Sequence, residues 1–189
     1  MAIFNYTKIH DVYKQRGAAL PGQITTDAGV ITVAAIANEV LYPGQAVELY
    51  EDNGVTKAKN ATAAGKFSGI VLEDIHAQVG VQNLKHQFVN EVKAGQEVTV
   101  MRKGYVWVPV ENASPTIARN GSVYIRTVAA AGKVIGGLAT AADGSNNAEL
   151  TGVKLTGQAG YPLTGQQNGT TATAITGRTA EVKVELGLY

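Results

Sequence analysis

A short module recurs along this chain, in which a glycine turn feeds an alternating strand. Pro43-Gly44-Gln45-Ala46-Val47-Glu48-Leu49 resembles Ala94-Gly95-Gln96-Glu97-Val98-Thr99-Val100, and Asn120-Gly121-Ser122-Val123-Tyr124-Ile125-Arg126 is a looser copy. Glycine supplies the positive φ of a tight turn, and the period-2 pattern behind it builds a half-buried strand. The copies stand 51 and 26 residues apart, from Gly44 to Gly95 and from Gly95 to Gly121. Unequal spacing rules out a solenoid and points to one local solution reused in a barrel or sandwich.

Other segments agree. Val30-Ile31-Thr32-Val33 is rich in β-branched residues. Tyr42-Pro43-Gly44-Gln45 suits a turn with Pro at its first central position and Gly at its second. Asp52-Asn53-Gly54 predicts a hairpin from a strand at 46–50 into Val55 to Lys59. Further strands are expected at Phe67 to Glu73, Tyr105 to Val110 and Ala180 to Tyr189. Within 105–110, Val106, Val108 and Val110 share one face, and Tyr105, Trp107 and Pro109 the other, so both faces need cover. Pro109 cannot donate to a ladder and marks an edge, a bulge or a strand end. In the last segment Val182, Val184, Leu186 and Leu188 oppose Glu181, Lys183 and Glu185, the pattern of a half-buried strand. The chain has 22 Val and 22 Gly, which favours strands and turns over helix. The reading is therefore all-β: a single β-barrel, jelly-roll-like or sandwich domain with an N-terminal arm and long surface loops.

The arm is residues 1–20 and the β domain 21–189. Phe4, Tyr6 and Tyr13 mix there with Lys8, Asp11 and Lys14, which fits a short helix or an extended arm. Gly17 and Pro21-Gly22 then break the chain. Long loops are expected at 74–88, at Ala129 to Asn147 and at Gln166 to Thr176. At 189 residues the chain can bury a core without staples, and it has no cysteine, which excludes disulfides, thiol catalysis and Cys-based zinc sites.

His76 and His86 fit no compact metal-binding spacing, although Glu73 and Asp74 stand near His76; His10 is isolated. Asp143-Gly144-Ser145-Asn146 hints at a calcium loop but lacks the ligand spacing and terminal Glu of an EF-hand. No nucleophile elbow, phosphate loop or dinucleotide fingerprint is present. The expectation is a non-enzyme with no catalytic residue, metal or cofactor. Sixteen Lys+Arg balance fifteen Asp+Glu, so nucleic acid is not expected as a direct partner. No apolar run approaches the roughly 20 residues of a membrane span, so no membrane partner is expected. Aromatics on an arm without its own core, and the sole Trp on a two-faced strand, are candidate interface anchors: Phe4, Tyr6, Tyr13 and Trp107.

The run from Lys93 to Val108, followed by Arg119 to Arg126, resembles the central signature of the structural cement (capsid decoration) proteins of tailed phages. Pro21-Gly22-Gln23-Ile24, Phe67 to Leu72 and Ala180 to Leu188 resemble its flanking turn and strands. The 1–16 segment and Asp74 to Phe88 depart from it. The resemblance implies a β domain on the outer capsid surface, made in the host cytoplasm and then carried on the virion. It also implies a homodimer or homotrimer that bridges neighbouring major capsid protein subunits and holds the expanded shell against DNA pressure. The alternative is a carbohydrate-binding or tail-associated β domain, which would expose a Trp/Tyr platform.

Overall fold

The computed structural model describes residues 21–73, 91–111, 116–130, 133–166 and 174–186. Among these described residues nine strands run β1 (Ile24–Ala37), β2 (Ala46–Asp52), β3 (Val55–Asn60), β4 (Gly69–Val71), β5 (Glu97–Val110), β6 (Ser122–Arg126), β7 (Leu138–Ala139), β8 (Asn147–Gln166) and β9 (Ala174–Glu185). A 3₁₀ turn at Ala64–Lys66 is the one helical element among the described residues. The all-β expectation holds.

The sheet closes on itself twice. Strands β1-β3-β2-β4-β5 form one circuit, because β5 returns to pair with β1; β5-β7-β6-β8-β9 form a second, because β9 returns to β5. The two rings share β5. Most pairs are antiparallel, with parallel contacts at β1–β3 and β5–β7. Adjacent residues of one strand serve different interiors. Val47, Val71 and Val100 fill the first ring, while their neighbours Ala46, Ile70 and Met101 point out of it into the core of the second. This is the strand's two-faced alternation used to pack one barrel wall against the other. The second core is completed by Val106, Val108, Ile125, Leu150, Val182 and Val184, among others.

Glycines switch that alternation where a strand must change sides. On β5 the side facing the second core passes from odd-numbered Met101 to even-numbered Val106, across Gly104 at φ 137°. On β8 it passes from Leu150 to Val153 across Gly152 at φ 79°. Both coincide with register shifts, Thr26/Ile31 opposite Gly104 on β5 and Ser122/Tyr124 opposite Gly152 on β8. A bulge inserts residues on one strand and so re-aims every side chain beyond it.

The recurrent module has a structural identity, and it occurs five times. At Gly22, Gly44, Gly95, Asn120 and Gly136, each with positive φ, the backbone N–H donates to a strand carbonyl, of Trp107, Val71, Ala37, Leu155 and Arg126 respectively. The same five strand residues donate back to the carbonyl of the next turn residue: Gln23, Gln45, Gln96, Gly121 and Gly137. This pattern is a G1 bulge built on a tight turn, which demands a left-handed residue at its first position. Two copies carry an identical clamp, in which Gln45 Oε1 accepts from Tyr42 N–H at 2.9 Å and Gln96 Oε1 from Lys93 N–H at 2.8 Å. The Asn53-Gly54 hairpin forms as expected, with Asp52 opposite Val55 and φ of 52° and 77° at the turn.

Three expectations are corrected. The strand expected over Phe67 to Glu73 is only Gly69–Val71; a Cβ at Gly69 would lie 2.5 Å from Met101 O, so the backbone there runs hard against β5. Ala129 to Asn147 is not simply a surface loop. It contains the Gly136 bulge and β7, whose Leu138 is buried. Gln166 and 174–176 belong to the β8–β9 ladder. Residues 1–20, 74–90, 167–173 and 187–189 lie outside the described residues, and with them the arm and the 74–88 loop.

Candidate assembly surface

Trp107 is 8% exposed in the single chain and stands apart from both core clusters, on the opposite side of β5 from Val106 and Val108. Its ring offers no free stacking platform. Its backbone is held on both edges, by the Gly22 bulge on one and by β9 on the other, where it pairs with Glu181. Glu181, expected on a solvent face, is 3% exposed, and the Thr156 hydroxyl donates to its Oε2 at 2.6 Å. Thr179, two residues before it, is fully buried, and its hydroxyl has no hydrogen-bond partner among the described residues. Around Trp107, Thr179 and Glu181 the outer side of the β5–β9 wall is thus covered, whereas Lys183 and Glu185 farther along β9 are exposed. A buried carboxylate needs such a partner to offset its desolvation.

Pro109 explains its own place. Trp107 N–H points to the β1 side, so the nitrogen of Pro109 faces the same way, into the gap between Ile24, opposite Val106, and Leu138, opposite Val110. No strand needs a donor there. The Gly44 turn fills the gap so closely that a Cβ on Gly44 would collide with Pro109 Cδ.

At the far end of the second ring Arg126, 1% exposed, is the hub of an ion cluster. Its Nη2 meets Glu111 Oε2 at 2.7 Å and its Nη1 meets Asp143 Oδ2 at 2.8 Å, with Lys133 Nζ at 3.4 Å from the same oxygen. The Arg126 hydrogen bond and then Lys133 hold the Asp143 carboxyl below the ordinary carboxylate range, and Glu111 holds Arg126 above its own. Asn147 pins the loop, accepting from Asp143 N–H at 2.7 Å and donating to Ala141 O at 2.9 Å. The suspected calcium-loop Asp143 is therefore committed to cations of the chain itself.

Of the candidate anchors, Phe4, Tyr6 and Tyr13 lie outside the described residues, as do His10, Asp74, His76 and His86. No group of three His, Asp or Glu is placed to hold a metal among the described residues. Sequence reasoning did not single out Arg126, Glu111, Glu181 or Thr156. A strand-ending Arg and an alternating Glu carry no mark that separates them from solvated ones.

The β8–β9 pair continues past the rings. β5–β9 pairing ends at Val110 opposite Arg178, and β6–β8 at Ser122 opposite Lys154, yet β8 and β9 stay paired from Pro162/Arg178 to Gln166/Ala174. Backbone at 163–166 and 174–177 thus forms a two-stranded ribbon leading off the second ring.

The sequence family described as XM1 gp53 minor capsid protein matches residues 9–179. A solved chain from "The capsid of Myoviridae Phage XM1" shares the fold, with a TM-score of 0.56 at 15% identity, covering 89% of this chain and 91% of that one. A chain from "The crystal structure of head fiber gp8.5 N base in bacteriophage phi29" aligns at a TM-score of 0.38 and 9% identity, over 84% and 99% of the two chains. A search of curated proteins found no match.

Proposed function

This chain belongs to the XM1 gp53 minor capsid protein family, and from that premise we propose that it binds the outer surface of a phage capsid and bridges neighbouring major capsid protein subunits. The family match over residues 9–179 carries the reading. In this reading the protein is a non-enzymatic cement, acts as a homodimer or homotrimer, and contacts neither nucleic acid nor membrane. A bridge that binds only the expanded lattice stabilises that lattice by mass action, and many modest contacts on one shell add up to high avidity. The doubly closed sheet suits this task, because a ring has few open edges to deform under load. Phe4, Tyr6 and Tyr13 would supply lattice contacts, while Trp107 would hold the wall that carries them.

Purified expanded and unexpanded shells provide the test. The intact chain should bind expanded shells and raise the temperature at which they release DNA. A chain lacking residues 1–16 should stay folded and bind more weakly. Equal binding to both kinds of shell, with no gain in shell stability, would remove the bridging role. Equal binding by the truncated chain would remove the arm from it.

A further inference from the structure

The dipeptide Asn-Gly occurs three times in this chain, at 53–54, 120–121 and 168–169. The last lies outside the described residues. In such a pair the glycine nitrogen can attack the asparagine Cγ, because glycine has no side chain to block the approach. Closing that ring requires the peptide plane between the two residues to rotate and its N–H to be free. The fold gives the other two pairs opposite surroundings.

Asn120-Gly121 is locked in the bulge module. Asn120 N–H donates to Leu155 O at 2.8 Å, Gly121 N–H to Ala118 O at 3.0 Å, and Leu155 N–H to Gly121 O at 2.9 Å. A Cβ on Gly121 would lie 2.9 Å from both Ala118 O and Leu155 Cδ1. Rotation there breaks these bonds and requires the β6–β8 wall to open. Asn53-Gly54 is the tip of the β2–β3 hairpin, and both residues are exposed. Gly54 N–H meets no acceptor among the described residues, and a Cβ on Gly54 would have nothing within 4 Å. The tip is restrained only by the Asn53 Nδ2 bond to Asp52 Oδ1, at 3.0 Å, and by the closing pair Asp52/Val55. The exposed end of a hairpin opens at little cost.

We propose that Asn53 is a site of spontaneous covalent modification by water, and that the bulge protects Asn120 from the same reaction. Gly54 N gives up its proton to solvent and forms a bond to Asn53 Cγ. Nδ2 takes up a proton and leaves as ammonia, and a succinimide remains. Water then adds to one of the two ring carbonyls and breaks its bond to nitrogen. Opening at Cγ leaves aspartate, and opening at the backbone carbonyl leaves isoaspartate, with the chain running through Cγ. Either product sets a new carboxylate beside Asp52, which is already paired with Lys57, and takes the formal net charge from +1 to 0. Isoaspartate also lengthens the backbone of a turn whose length fixes the hairpin register.

Peptide mapping by mass spectrometry of the full chain, aged in mildly alkaline buffer, provides the test. Cleavage after Lys and Arg places Asn53 in 17–57 and Asn120 in 120–126. In the folded chain Asn53 should convert about tenfold or more faster than Asn120. In chain unfolded by urea the gap should close. The products at Asn53 should include isoaspartate. Equal rates in the folded chain overturn the inference, as does faster loss at Asn120. A gap that persists in urea also overturns it, by giving the difference to sequence rather than fold. If both sites react in urea and neither does when folded, the hairpin protects Asn53 and the inference fails. Aspartate without isoaspartate removes the ring intermediate. Conversion is independent of shell binding, so none of these outcomes bears on the capsid reading.

Discussion

The two rings use one turn module and one common strand, yet they are filled differently. The first holds alanines at three interior positions, Ala35, Ala37 and Ala58, beside valines such as Val47 and Val98. The second is filled mainly by Val, Ile and Leu, including Ile125, Leu138, Leu150 and Leu155, and borrows Ile70 and Met101 from the outer side of the first. In the first ring the small side chains of Ala35, Ala37 and Ala58 stand beside the fully buried Leu41. In the second, branched and longer side chains supply most of the packed volume. The module thus fixes where strands begin, and side-chain volume sets what each ring can hold.

That contrast can be broken or sharpened by mutation. Trp107→Ala on the shared strand should cost about 3–5 kcal/mol, the range for losing a buried aromatic. Both rings depend on β5, so the expected melt is one lowered transition, with the same fall relative to wild type at low and high protein concentration. A fall that appears only at high concentration would assign the cover of Trp107 to a neighbouring subunit. Two transitions would show that the rings unfold separately.

Ile125→Ala, inside the second ring, should cost about 2–5 kcal/mol through cavity formation. Ala58→Leu, inside the first, should cost about 1–3 kcal/mol through overpacking. If Ala58→Leu were neutral in urea titration, the first ring would hold spare volume beside Ala58. Gly44→Ala forces a side chain at φ 83° against Pro109 and should cost about 1–3 kcal/mol, read from the same titrations.

The smallest effect concerns acid. Asp143 titrates lower when folded than when unfolded, because of Arg126 and Lys133. Its contribution is therefore present above the unfolded value, about pH 3.9, and is lost as pH falls through the lower folded value. Urea midpoints of wild type should fall more steeply than those of Asp143→Asn below about pH 4. Parallel curves would remove the role of Asp143 in stability.

Much of the architecture could be read from residue order, because the bulge module is local. Gly44, Gly95 and the Asn120-Gly121 pair each mark a turn whose geometry needs a left-handed residue. The Gly22 and Gly136 copies were missed as members of the set, since neither precedes a strand with clear alternation. β7 has two residues and cannot show a period. β8 went unassigned because its pattern is interrupted at Gly152, where the inward side changes from Leu150 to Val153. The second closure was also invisible, because it depends on pairing between Val106 and Val182, far apart in sequence. For the candidate surface, the strand of Trp107 and its burial were anticipated, but the polar cover was not. Glu181 and Thr156 meet only once β8 and β9 are paired.

The shared strand has a consequence for synthesis. The first ring needs only residues up to β5, so it can close once Val110 has emerged from the ribosome. The second must wait for β9, which ends at Glu185. At about 5–20 residues per second, that interval lasts roughly 4–15 s. Throughout it, Ile70 and Met101 lie bare on the outside of the finished ring, and the second edge of β5 stands open. Nascent chains arrested once Val110 has emerged should therefore resist protease within 21–73 and 91–110 and bind a hydrophobic dye, and the dye signal should vanish when Glu185 has emerged as well.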